Sequence, residues 1–221
     1  MKKAPNLSLD KIFTLNKKAY DSLAHKYNEQ YSDRFNHNNW LVQQYVLNLK
    51  AITKKENPSV LDIGCAVGLD AYALLQEGCK VLGIDISPEM IVFAKQNAPN
   101  AKFEVDNFIE HEFSQTFDGI YSQNFIHLFP KETAIQMINK MGSLLNPGGL
   151  IHITTSDEGD KGEGLFDKAE YKGNIQRYRK FWSYEELLEV ILKLNFKIIN
   201  TFYTLPFGKN PWMIIEFTNG T

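Results

Sequence analysis

The sequence predicts an α/β protein with a doubly wound, mostly parallel sheet of seven strands, an N-terminal helical cap and an insertion after the fifth strand. Three observations predict it. In residues 60–87, VLDIGCAVGLDAYALLQEGCKVLGIDIS, an apolar run ends on Asp62 and turns through Gly64, Ala66 and Gly68 into a helical pattern. A second apolar run then ends on Asp85, and strand, tight turn, helix, strand, acid is the first half of a doubly wound nucleotide-binding fold. Finally, short apolar runs keep alternating with helical patterns up to a closing pair of strands.

The elements follow in order. Residues 16–31 place Tyr20, Leu23, Ala24, Tyr27 and Tyr31 at helical spacing, and a second amphipathic segment runs from Trp40 to Ile52. Both precede the first strand and so form a cap over residues 1–55. Strands are expected at 59–63, 80–85, 102–105, 117–122 and 149–155, with helices at about 68–77, 87–97 and 131–145 between them. Ser87-Pro88 is a helix start with its N-cap and its N1 proline. Gly78 stops the preceding helix. Asn146-Pro147-Gly148-Gly149 reads as a turn before the fifth strand.

The pattern changes beyond residue 155. Residues 156–170, rich in Asp, Glu, Lys and Gly, read as a mobile solvated loop. Residues 171–182 alternate basic and aromatic side chains. Ser183 and Glu186 form a capping box opening a helix to about Leu194. Apolar runs at 196–204 and 211–218 close the chain, joined through Pro206, Gly208 and Pro211, as an antiparallel hairpin added to the parallel sheet. One domain over 1–221 is expected, with a cofactor-binding core at 56–155, a lid at 156–182 and a last helix and hairpin at 183–221.

Composition narrows the partners. The formal net charge is −2 and the pI is near 6.2, so there is no global drive toward nucleic acid or anionic membrane. Cys65 and Cys79 are too few and badly spaced for a disulfide framework or a zinc site, which points to a reducing cytoplasm. Asp10 and Lys11 interrupt the N-terminal apolar residues, against a signal peptide, and no run reaches transmembrane length. No two of the five histidines have the spacing of a helical metal site, and no metal is expected.

The loop chemistry points to a ligand class. A pyrophosphate-binding helix N-terminus attracts anions, and Asp62 at the loop entrance would repel one and attract a cation. S-adenosylmethionine carries an adenosine, no phosphate and an ammonium. Asp85, 21 residues after Gly64, stands where an acid accepts hydrogen bonds from ribose hydroxyls.

The stretch resembles the first two motifs of the class I S-adenosylmethionine-dependent methyltransferases. Their loop has an acid followed by three glycines at alternate positions; here Ala66 stands for the middle one. FEVDNF (103–108), FDGIYSQNFIH (117–127), LLNPGGLIHI (144–153) and FWSYEELLEVILKLNF (181–196) extend the likeness over roughly 16–218. The whole is similar to the small-molecule branch that includes ubiquinone and menaquinone methyltransferases, in which the segment matching AYDSLAHKYNEQY (19–31) closes over the cofactor. The resemblance implies a Rossmann-like methyltransferase fold and transfer of a methyl group from S-adenosylmethionine to a small-molecule acceptor, leaving S-adenosylhomocysteine.

It also implies residue roles. Asp62 lies near the methionine ammonium. Gly64, Cys65, Ala66 and Gly68 form the loop along the cofactor. Asp85 holds the ribose, Ile86 and Met90 cover the adenine, and Asp106 or Asn107 meets its amino edge with the backbone of Phe108 nearby. Gln123 and Asn124 border the sulfonium. Tyr20 and Tyr27 reach the cofactor carboxylate or the substrate. Some positions have a second reading: Asp106 as a turn cap, Ile86 and Met90 as core, the tyrosine stripe as packing. Cys65 reads as a small loop residue, since no base is evident beside it, and His152 as a core histidine. His127, after the fourth strand, reads either as a general base or as a structural histidine. Arg177, Tyr178 and Trp182 read either as a pocket for an anionic or aromatic substrate or as a surface element. Two other functions are open: a nucleic-acid or protein methyltransferase, against which stand the near-neutral charge and the SQNF end of strand four, and a catalytically silent cofactor-binding protein.

Overall fold

The computed structural model describes residues 7–32, 40–159, 161–167, 175–204 and 211–220. In chain order the elements are α1 (Leu9–Ser32), α2 (Trp40–Thr53), β1 (Ser59–Ile63), α3 (Leu69–Gln76), β2 (Lys80–Asp85), α4 (Pro88–Asn97), β3 (Lys102–Val105) and β4 (Phe117–Gln123). A 3₁₀ turn (Ile126–Leu128) follows, then α5 (Lys131–Ser143), β5 (Leu145–Ser156), β6 (Glu163–Asp167), β7 (Gln176–Lys180), α6 (Tyr184–Lys193), β8 (Phe196–Thr204) and β9 (Trp212–Asn219).

Seven strands form one sheet in the order β3-β2-β1-β4-β5-β9-β8. β1 to β5 are parallel, and β9 runs antiparallel to both of its neighbours. The order reverses between β1 and β4, which opens a crevice beyond their carboxyl ends. Both sheet faces are covered, so successive strand residues bury alternately. Leu61, Ile120, Ile151 and Ile153 pack with α5 and α6. Val60, Tyr121 and Leu150 pack with Tyr45 and Leu49 of α2 and Leu74 of α3. This double burial explains the near-continuous apolar runs of the sequence.

One polar network lies inside the second layer. His152 on β5 bonds Glu216 on β9 through Nδ1 at 3.1 Å and Thr154 through Nε2 at 2.8 Å. Asn48 on α2 donates to the other Glu216 oxygen at 2.8 Å. His152 also stacks on Tyr121. Both of its ring nitrogens are therefore satisfied in the core, and the network joins helix, parallel strand and antiparallel strand.

Three details differ from the sequence expectation. α1 begins seven residues earlier than residue 16, at Leu9, because Ile12 and Phe13 continue its buried stripe. α5 stops at Ser143 and β5 already pairs at Leu145, so residues 146–149 form a bulge within the β4–β5 ladder and not a turn before the strand. The expected solvated loop at 156–170 contains β6, which pairs antiparallel with β7 from Glu163↔Lys180 to Asp167↔Gln176. Its acidic and glycine-rich composition masked a ladder whose pairing comes from backbone groups. Pro206, Gly208 and the side chain of Tyr31 lie outside the described residues.

Candidate functional site

The site lies where β1, β2 and β4 end. The loop after β1 passes through three left-handed residues: Gly64 at φ 71°, Ala66 at 46° and Gly68 at 80°. Gly64 and Gly68 adopt this freely. Ala66 does so at a cost of about 1–2 kcal/mol, and it is held there by donating its N–H to Asp85 Oδ2 at 3.0 Å. The glycines also make room for protein. A Cβ on Gly64 would lie 2.6 Å from the Phe125 ring, and one on Gly68 would lie 2.9 Å from Cα of Ala94. Their small size therefore brings β4's continuation and α4 against the loop.

Asp85 is the junction. Its Oδ1 accepts from Ser87 N at 2.9 Å while Oδ2 holds Ala66. Ser87 Oγ caps α4 by accepting from Met90 N at 3.2 Å, and donates to Asp21 of α1 at 2.6 Å. An ionised carboxylate offers about four acceptor positions. The N–H groups of Ala66, Ser87 and Ile86 take three of these, and the carboxylate keeps acceptor capacity for a ribose hydroxyl.

Asp62, 1% exposed, ends inside the site. α3 has no side-chain cap at Gly68; Asp62 accepts from the backbone of Ala71, within its first turn. The second oxygen, Oδ2, is buried and has no hydrogen-bond partner. Burial and then the Asp70 and Asp85 charges push this carboxyl well above the ordinary range. Burial also raises Asp85 to about 6 and Asp70 to about 6. Three carboxyls with raised pKa values around one loop form a site that a cationic donor would complete. Asp70 was not among the residues singled out in the sequence; its signal is an acid in the first turn after the loop.

Other predicted residues take varied places. Cys65 is buried against Ile91 and Ala94, and burial pushes its thiol up, away from nucleophile chemistry. Met90 is fully buried with Ala24 and Val67, bordered by Tyr20, Tyr27 and Ala66, while Ile86 is half-buried against the main core. Phe108 is 3% exposed and turns its ring into the core. Asp106 caps its own turn by accepting from Asn107 N at 2.7 Å and bonds His111 Nδ1 at 2.7 Å, which holds its carboxyl low. Asn107 accepts from Ile109 N at 3.2 Å. Gln123 accepts from the Tyr121 hydroxyl at 2.9 Å, and Asn124 is left-handed at φ 54° beside the loop mouth.

His127 is 5% exposed and lies 3.3 Å from Thr155 Oγ1 through Nδ1. Trp182 is fully buried and Tyr178 nearly so. Both are core side chains, so of the three residues considered for substrate only Arg177 faces the cap, donating to Tyr20 at 2.8 Å. No cluster of His, Cys, Asp and Glu suited to a metal occurs among the described residues.

Because these raised carboxyls have an ordinary unfolded value near 3.8, the ligand-free fold holds protons that the unfolded chain has lost. Stability from this source is present at low pH and lost as pH rises from about 4 through 6. D70N, measured by urea unfolding, is therefore expected to gain stability relative to the parent over that interval. A difference that does not vary with pH would contradict the assignment.

Residues 60–149 match the family described as Methyltransferase domain. A ubiquinone biosynthesis O-methyltransferase of Xanthomonas axonopodis pv. citri is 30% identical over 102 residues, 43% of this chain and 42% of that protein. The match thus spans less than half the length of that relative. An uncharacterized methyltransferase of Alkaliphilus oremlandii is 26% identical over 160 residues, 71% of this chain and 70% of that one. Among solved structures, Burkholderia thailandensis 1,6-didemethyltoxoflavin-N1-methyltransferase, with bound 1,6-didemethyltoxoflavin and S-adenosylhomocysteine, superimposes with a TM-score of 0.76 at 18% identity, over 99% of this chain and 93% of that one. Residues 60–149 thus match a methyltransferase domain, within a chain that has the Rossmann-like fold of S-adenosylmethionine-dependent methyltransferases.

Proposed function

We propose that this chain is an S-adenosylmethionine-dependent methyltransferase acting on a small-molecule acceptor, with residues 1–221 working as one domain in a reducing cytoplasm. The unpartnered Asp62 Oδ2, close to the Asp85 carboxylate, carries this reading. That pairing suits an ammonium and a ribose on one ligand and is hostile to a pyrophosphate. The near-neutral charge supports a small acceptor over nucleic acid. Among the described residues, no helix is long and apolar enough to cross a membrane.

When bound, S-adenosylmethionine supplies a methyl group activated on a sulfonium, so the protein's work is orientation and exclusion of water. Asp62 and Asp85 fix the two ends of the ligand. Gly64, Cys65, Ala66 and Gly68 run beside it, and Ile86, Met90, Asp106, Asn107 and the Phe108 backbone shape the adenine side. Gln123 and Asn124 border the reacting methyl group. Tyr20, Tyr27 and Arg177 close the substrate side, with Tyr178 and Trp182 supporting the wall from the core. His127 stands behind that side and either accepts the acceptor's proton or orients it through Thr155.

Two variants test this assignment. D85A removes charge-assisted bonds of about 1.5–3 kcal/mol each, and calorimetry on the folded variant is expected to show at least tenfold weaker S-adenosylhomocysteine binding. Unchanged affinity, or tight NAD binding by the parent, would overturn the cofactor assignment. H127A is expected to keep cofactor binding while slowing methyl transfer to an acceptor found in metabolite extracts, by about ten- to a hundredfold. Full activity would assign His127 to packing alone.

A further inference from the structure

Asn16 has no counterpart in the roles assigned above, yet it is 3% exposed among apolar neighbours on α1. Its Nδ2 donates to the Leu128 carbonyl at 2.7 Å, and its Oδ1 accepts from the Tyr178 backbone N–H at 3.0 Å. One amide therefore joins three segments: the N-terminal helix, the 3₁₀ turn containing His127, and the insertion strand β7. Both partners are backbone groups with fixed roles, one acceptor and one donor. A primary amide supplies both complements at once, whereas a carboxylate, a hydrocarbon or a cation of the same size does not.

The surrounding contacts give this clasp a consequence at the site. Asn16 and Tyr20 are one helical turn apart on α1 and share a face. Arg177 and Tyr178 are adjacent on β7. Asn16 holds the backbone of Tyr178 while Tyr20 receives the Arg177 guanidinium at 2.8 Å, so the amide sets the register in which that pair meets. Further along α1, Asp21 bonds Ser87 beside Asp85, and Asn28 bonds Asn97, which also holds the Val67 carbonyl of the glycine loop. The helix is thus fastened to the substrate side at Asn16 and Tyr20 and to the cofactor side at Asp21 and Asn28.

We infer that Asn16 is a positioning residue that makes the N-terminal helix and the insertion strand β7 open and close as one cover over the cofactor site. Parting the helix from β7 leaves the buried Tyr178 N–H and the Asn16 Oδ1 without each other, so each piece is held to the other by that cost. The inference rests on the cofactor reading above only for which ligand the cover retains.

The test compares the full-length parent, N16D and N16L by hydrogen exchange and by S-adenosylhomocysteine release in stopped flow. N16D preserves shape and the acceptor but loses the donor; N16L loses both. Both are expected to release the ligand at least about tenfold faster, from the loss of one buried hydrogen bond in N16D and of two in N16L. Residues 9–32 and 176–180 are expected to lose protection together while β1 and β4 keep theirs. If N16L does not fold, N16D carries the test. Loss of protection in only one segment, or release rates equal to the parent's, overturns the inference. A parent that binds no S-adenosylhomocysteine defeats the cofactor reading instead, and joint deprotection in the ligand-free variants still decides the clasp.

Discussion

The carboxylate of Asp85 is the constraint on which the rest of the site depends. It ends β2, accepts the N–H of Ala66 and the N–H of Ser87, and so ties the first loop to the start of the fourth helix. Ala66 occupies a backbone region that alanine avoids, and the Asp85 bond is what compensates for it. Ser87 extends the connection to Asp21 on the N-terminal helix. A single acid thus links loop, sheet and cover. It stands at the carboxyl edge of the sheet, beside the crevice that the reversal of strand order creates.

Charge decides what the crevice takes. Asp62, Asp70 and Asp85 crowd one loop; burial raises all three carboxyls, and the Asp70 and Asp85 charges raise Asp62 further. An anionic phosphate there would meet like charges, whereas an ammonium would satisfy the orphaned Asp62 oxygen and lower the cost of ionisation. The same carboxylate group serves the fold, since Asp62 also caps α3 through Ala71. On the proposed function, structure and binding share these atoms, so loop geometry and ligand affinity vary together.

Much of this was legible in the sequence because it is written in local signals. The loop acids and glycines, the Ser87-Pro88 helix start and the alternating apolar runs each reflect a backbone requirement that acts within a few residues. The features missed depend on long-range placement. Asp70 looks like an ordinary first-turn acid until β1 brings Asp62 beside it. Trp182 and Tyr178 read as pocket residues or as part of a surface element because basic and aromatic side chains alternate there, whereas the chain turns both rings inward. The β6 ladder left no hydrophobic signature, and Asn16 is a polar residue whose two partners lie more than a hundred residues away.

On the proposed function, buried, partly protonated carboxyls become ionised partners of the ligand ammonium. Calorimetry of S-adenosylhomocysteine binding, repeated in buffers of different ionisation enthalpy, measures this as protons released per ligand bound. Net release is expected across about pH 5–7, around the pH near 6 where Asp70 and Asp85 are half-protonated. Proton uptake near pH 6, or binding with no proton change across that range, would contradict it.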